Sequence, residues 1–331
     1  MRLRGKACGA LAGLVVLAAG TLLPGAAAAP AIPVVSADDG ARVVRETAVD
    51  ARTIDLEIAS PALGANASVR LLLPARWRAE PGRTWPVLYL LHGCCADPDY
   101  RSWTEFTDAE QFLADKDVLT VLPSDGPAGM YSRWWNYGRS SIPDWETFHV
   151  TEVRQILERG YRAGTKRAAA GLSIGGYGAM AYAFRHPGTF GAAASFSGSI
   201  DSLHGFTPSG TKGVLKNVGL DPNALWGDEW QNRPLWSEHN PADHVDAFRG
   251  IGLYVSAGDG TPGPLDPPGA EPEPHETMAL ASSLSFTDRL RERGIPVTTN
   301  YYGPGTHAWP YWEREFHAAW PVLARGLGLP G

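Results

Sequence analysis

The sequence predicts an α/β fold, a mostly parallel central sheet with helices on both faces, and three features of the chain lead to it. Short apolar runs of β type alternate with longer stretches of helical periodicity. The clearest runs read as buried strands. Each ends close to Gly, Ser, Asp or Pro, the residues that punctuate such elements.

Taken in order, runs at residues 53–58 and 68–72 read as an antiparallel opening to the sheet. Buried strands follow at 87–91, 118–122, 167–172, 192–196, 253–256 and 297–301. Helical patterns fit 108–115, 148–161, 176–184, 277–293 and 312–323, the last closing the chain. Two segments interrupt the alternation: 201–244, rich in Gly, Asn and Trp, and 260–274, which carries much of the proline. Long connections at the C-terminal ends of parallel strands usually shape a binding site, so these two are expected to form cap and lid.

The chain begins differently. Arg2, Arg4 and Lys6 precede an apolar run over residues 10–23, and a small-residue stretch at 25–29 ends at Pro30. That pattern is a secretory signal peptide, with cleavage expected near Ala28 or Ala29. The expected organisation is therefore leader 1–29, linker 30–45 and one α/β domain over 46–331, exported after the leader is removed. The apolar run is short for a membrane span, which needs about 20 residues. Cys8 follows no lipobox, so no lipid anchor is expected.

The formal charge is −6 and becomes more negative once the basic leader is lost, which argues against nucleic acid as a partner. Of three cysteines only Cys94 and Cys95 lie beyond the leader, and adjacent residues can form at most a vicinal disulfide. No second Cys or His pair stands at ligand spacing, so neither a metal nor another cofactor is expected.

The strongest local signal is Gly171-Leu172-Ser173-Ile174-Gly175, directly after a predicted strand and before a small-residue helix start. This is the nucleophile elbow of the α/β-hydrolase fold: a serine on a tight strand-to-helix turn requires glycine two residues to either side so that neighbouring backbone can approach. A serine hydroxyl is a weak nucleophile and needs a base held by a carboxylate. His307, after the last strand and before the last helix, stands where this fold carries its histidine. His92, in Leu91-His92-Gly93, precedes the serine and is read as shaping the oxyanion loop and as a candidate substrate contact; the remaining histidines are read as surface or packing residues. Two carboxylates compete for the acid. Asp259 directly follows a strand, whereas Glu276 stands at a helix start, where the dipole alone favours a negative charge.

Beyond the elbow, the run Leu88-Tyr89-Leu90-Leu91-His92-Gly93, the blocks Tyr131-Ser132-Arg133-Trp134-Trp135 and Trp145-Glu146-Thr147-Phe148, then Leu225-Trp226-Gly227 and Thr306-His307-Ala308-Trp309-Pro310-Tyr311-Trp312 occur in order. Together they resemble the secreted mycolyltransferases of the antigen 85 group and their esterase D-like relatives, from about residue 50 to the C-terminus. The resemblance implies two-step acyl transfer from a small-molecule or lipid ester. Ser173 would form the acyl-enzyme with His307 as base, the backbone N–H groups of Cys94 and Ile174 would hold the oxyanion, and Trp309 would line the acceptor site. It also favours Glu276 over Asp259 as the acid. Where the mycolyltransferases carry an aspartate and an arginine beside the sugar acceptor, this chain has His92 and Cys95, and their internal cysteine pair has no counterpart between residues 137 and 145. Loss of those charged contacts favours water as a competitor, so a carboxylesterase with transferase activity towards a sugar or glycerol hydroxyl is expected over a dedicated mycolyltransferase. The 12 tryptophans also suit a non-catalytic carbohydrate-binding or adhesion protein, but such a protein has no need of elbow, histidine and acid together. A serine peptidase on the same fold ranks lower, since nothing suggests a propeller or a peptide-terminus anchor.

Overall fold

A computed structural model describes residues 35–331, so the expected leader and the first part of the expected linker lie outside the described residues. Nine strands form one sheet: β1 (Arg42–Ala48), β2 (Thr53–Ser60), β3 (Ala65–Leu72), β4 (Trp85–Leu91), β5 (Leu119–Pro123), β6 (Ala163–Leu172), β7 (Ala192–Phe196), β8 (Gly252–Ala257) and β9 (Thr298–Tyr301). Their spatial order is β1-β2-β3-β5-β4-β6-β7-β8-β9. From β5 to β9 every neighbour is parallel, while β1, β2 and β3 form an antiparallel meander attached to β5.

The helices are α1 (Ser102–Phe106), α2 (Ala109–Phe112), α3 (Trp145–Thr147), α4 (Arg154–Gly160), α5 (Ile174–Arg185), α6 (Thr207–Asn217), α7 (Pro222–Trp226), α8 (Arg233–Glu238), α9 (Pro274–Glu292) and α10 (Trp309–Leu327). A π-helical stretch, Phe148–Val153, joins α3 to α4, so the helix expected at 148–161 starts earlier. The cause is a cap: Asp144 accepts from the Thr147 amide at 2.9 Å.

Strand periodicity divides the core into two layers. Along β4, Val87, Tyr89 and Leu91 face one side of the sheet, where residues of α4, α5 and α9 pack. Leu88 and Leu90 face the other, against Trp103 of α1 and Phe316, Trp320 and Leu323 of α10. Burial on both faces is why these strands read as apolar runs.

All eight expected strands are present; β1 was not foreseen. It starts at Arg42, inside the stretch expected to be linker, so the ordered domain begins before residue 46. Only Val43 of its residues is buried, and Arg42, Arg45 and Glu46 make it read as a polar connection. As the edge of the sheet, pairing with β2 alone, it has no need of an apolar pattern, and its charges discourage pairing with another chain. The expected cap, 201–244, contains α6, α7 and α8. No helix among the described residues is long and apolar enough to cross a membrane.

Phe316 is fully buried and meets Trp103, Phe112 and Phe196 at ring-centroid distances of 5.5, 5.3 and 6.5 Å. Phe316→Ala is expected to destabilise the protein by about 3–5 kcal/mol in urea denaturation, through lost transfer energy and the cavity left behind. A loss below about 1 kcal/mol would mean that α10 is not the clamp on that face.

Candidate active site

β6 ends at Leu172 and α5 begins at Ile174, so Ser173 is the single residue that turns the chain. Its backbone sits at φ 53°, ψ −122°, a region that costs a non-glycine residue about 1–3 kcal/mol. The turn is held by the Ser173 amide, which donates to the Phe196 carbonyl of β7 at 2.9 Å. Both flanking glycines are sterically required. A Cβ on Gly171 would collide with the Gly175 carbonyl, and one on Gly175 with the carbonyls of Leu91 and His92. The half-buried hydroxyl is thereby presented at the C-terminal edge of the parallel strands.

His307 reaches the same place from the loop after β9. Its Nδ1 lies 2.7 Å from Glu276 Oε2. Glu276 has no solvent exposure, and Oε1 accepts from the Gly258 amide at 2.6 Å, Ser197 Oγ at 2.8 Å and Tyr302 O–H at 3.3 Å. A buried carboxylate is tolerated only when its lone pairs are answered in this way. Asp259, the competing acid, is spent elsewhere: its Oδ1 accepts from the amide and hydroxyl of Thr261 at 2.8 and 2.5 Å, closing a local turn. The structure thus brings Glu276 to His307, and not Asp259. Helix α9 is capped by Glu273, which accepts from the Glu276 amide at 3.0 Å and leaves the Glu276 carboxylate free for the histidine.

Ser173 and His307 line one cavity of about 210 Å³, together with Cys94, Ile174, Met278 and Trp312. Among the described residues no hydrogen bond links Ser173 Oγ directly to His307 Nε2; such bonds are often long without a substrate and tighten on binding. Neither the Cys94 nor the Ile174 amide donates to another group among the described residues, as two oxyanion donors require. The sulfurs of Cys94 and Cys95 are bonded to each other, and both residues are part of the cavity wall.

Two expected contacts are not on that wall. His92 was expected to touch substrate; it is 2% exposed and lies beneath the loop, with Nδ1 2.7 Å from the Gly93 carbonyl. Trp309, expected beside the acceptor, packs its ring on Phe106 at 5.1 Å, Trp312 at 5.3 Å and Trp103 at 5.5 Å. In exchange, three residues at the site were missed. Ser197 bridges Glu276 and the Trp312 indole N–H, which donates to its Oγ at 3.1 Å. Its signal was its position, the first residue after a parallel strand. Trp312 also packs edge-on to His307, at 4.9 Å between rings. His275, read as peripheral, lines the cavity with its ring 6.3 Å from that of His307.

A second, apolar groove of about 660 Å³ adjoins the cavity between α6 and the start of α9, and Gly210, Asn217, His275 and Met278 belong to both walls. Among the described residues no cluster of three or more His, Cys, Asp and Glu side chains forms a metal cage.

Comparison with known proteins agrees with this geometry. The family model described as "Putative esterase" matches residues 60–323. The chain is 34% identical over 278 residues to Esterase Rv1288 of Mycobacterium tuberculosis, covering 81% of this chain but only 58% of that protein. It is 30% identical over 296 residues to the diacylglycerol acyltransferase/mycolyltransferase Ag85B of Mycobacterium intracellulare, covering 82% of this chain and 89% of the relative. Among solved structures, MPT51 (FbpC1) of Mycobacterium tuberculosis superimposes with a TM-score of 0.66 at 26% identity, over 82% of this chain and 96% of that one. An elbow at the edge of a mostly parallel sheet, a buried carboxylate on a histidine and these matches lead to one conclusion: the chain belongs to the esterase family of α/β-hydrolase fold that includes the antigen 85 mycolyltransferases.

Proposed function

We propose that the protein is an exported serine esterase with acyltransferase capacity, in which Ser173, His307 and Glu276 act as nucleophile, base and acid. The observation that carries this reading is the 2.7 Å contact between His307 Nδ1 and the fully buried Glu276, beside a cavity that also holds the elbow serine. Nδ1 keeps its hydrogen towards Glu276, which leaves Nε2 to accept the Ser173 proton. Oγ then attacks the ester carbonyl carbon, and the Cys94 and Ile174 amides receive the oxyanion, each such donor contributing about 3 kcal/mol. Collapse expels the alcohol, which takes the proton from His307 and leaves an acyl-serine. Water or another hydroxyl, deprotonated by His307, attacks that ester and frees Ser173.

Hydrolysis is favoured over dedicated transfer to a sugar because, among the described residues, no carboxylate or guanidinium lines the cavity around Ser173 to make strong contacts that would orient a polyol. The names of the relatives include acyltransferases, which keeps a sugar or glycerol hydroxyl in the reading as acceptor. A purely binding protein has no use for an acidic group buried at such cost and aimed at one histidine.

With p-nitrophenyl acetate, Ser173→Ala is expected to abolish turnover and to prevent acyl-enzyme formation detected by mass spectrometry. Unchanged turnover in this variant would sink the serine mechanism. Glu276→Gln is expected to lower kcat by roughly 10³–10⁴-fold while Asp259→Asn changes it by less than about 3-fold, and the reverse ranking would reassign the acid. Met278 stands between the small cavity and the apolar groove, so Met278→Ala is expected to raise kcat/KM for octanoate relative to acetate by roughly 10-fold, about the effect of opening a hydrophobic pocket. An unchanged chain-length profile would show that the acyl group lies elsewhere.

A further inference from the structure

The Cys94 amide and the Gly93 carbonyl belong to one peptide group, so whatever holds the carbonyl aims the N–H. Gly93 lies tight against the elbow: a Cβ there would meet Ser173 Cβ at 3.2 Å and collide with the Leu172 side chain. Its carbonyl is 2.7 Å from His92 Nδ1. A carbonyl oxygen only accepts, so Nδ1 carries the hydrogen and donates.

The other ring nitrogen faces a second buried acid. Nε2 therefore accepts, from the Asp125 amide at 3.1 Å, and that amide is shared with Asp99 Oδ2, which lies 3.2 Å from Nε2. Asp99 is 7% exposed, and Oδ2 also accepts from Ser124 Oγ at 2.7 Å and the Asp125 amide at 3.0 Å, while Oδ1 accepts from the Tyr100 amide at 2.7 Å. Burial pushes this carboxyl up, but the groups packed around it, His92, Ser124 and the Asp125 amide, outweigh burial and hold it below the usual carboxylate range. The neighbouring backbone is pinned as well: Tyr131 O–H donates to the His92 carbonyl and the Trp103 indole to the Leu91 carbonyl, both at 2.9 Å.

We propose that Asp99 and His92 position the oxyanion donor: Asp99 holds the Asp125 amide from which the His92 ring accepts, and the ring's Nδ1–H fixes the Gly93–Cys94 peptide so that its N–H faces the reacting carbonyl. The inference rests on the serine-esterase reading above. Neither residue touches substrate; both act through one peptide plane. A hydrogen bond to the carbonyl of an amide also strengthens its N–H as a donor, so the pair orients and polarises the same group. Each end of the site then has a buried acid and a histidine: Glu276 in direct contact with His307 for the proton, and Asp99 linked to His92 through the Asp125 amide for the oxyanion.

The test uses the full chain after leader removal, with p-nitrophenyl acetate as substrate and a trifluoromethyl ketone, whose serine adduct carries an oxyanion, as inhibitor. Asp99→Asn and His92→Leu are expected to lower kcat by roughly 10- to 100-fold with KM within about 2-fold, and to weaken the ketone by the same factor. His92→Asn, whose amide nitrogen can replace Nδ1, is expected to recover most of the loss. If His92→Leu fails to fold, the other two variants decide. Unchanged kcat and ketone affinity in Asp99→Asn would overturn the proposal, as would a His92→Asn protein no better than an intact His92→Leu one. Residual full activity in Ser173→Ala would instead overturn the underlying serine reading, so the two failures are distinguishable.

Discussion

A carboxylate sealed from solvent is the constraint on which the site depends. Glu276 can remain inside only while the Gly258 amide after β8, Ser197 after β7, Tyr302 after β9 and His307 all answer it. Each of those groups is placed by the end of a parallel strand or the loop that follows it, so the register of the sheet sets the geometry of the acid. Removing one partner strands a buried polar group at a cost of about 1–3 kcal/mol, which ties the stability of this edge to its chemistry.

The elbow adds a second constraint, of shape. Gly171, Gly175 and Gly93 let β6, α5 and the loop after β4 approach until backbone touches backbone. The close approach puts the Cys94 and Ile174 amides beside the serine without any side chain having to reach them. The cap over residues 201–244 adds Gly210, Thr211, Val214 and Asn217 to the cavity wall.

Much of this was legible in the sequence because it is local. Strands buried on both faces announce themselves as apolar runs, and the elbow needs its glycines within five residues. What was not legible depends on partners distant in the chain. Position left Asp259 and Glu276 both open and only the resemblance favoured Glu276; in the fold Thr261 holds Asp259, Glu273 caps α9 and Glu276 meets His307. β1 was hidden because an edge strand needs no apolar pattern. His92 and Trp309 carried the right residue types for ligand contact, but His92 is buried beneath the loop and Trp309 is half-buried against the aromatic layer of α1 and α10. Ser197 gave only a positional hint, since its role exists only once Glu276 and Trp312 arrive on either side of it.

The route of the chain has a consequence for biosynthesis. The serine is in place at residue 173, but its histidine follows β9, and the sheet face behind it stays uncovered until α10 packs against β6 and β7. That last helix also ties back to the turn between α1 and α2, where Glu313 accepts from the Asp108 amide at 2.9 Å and His317 meets the Asp108 side chain at 2.8 Å. Contacts of such sequence separation form late in folding. On the serine reading proposed above, a nascent chain halted before residue 307 holds Ser173 without His307, so the site stays incomplete until the loop after β9 is made.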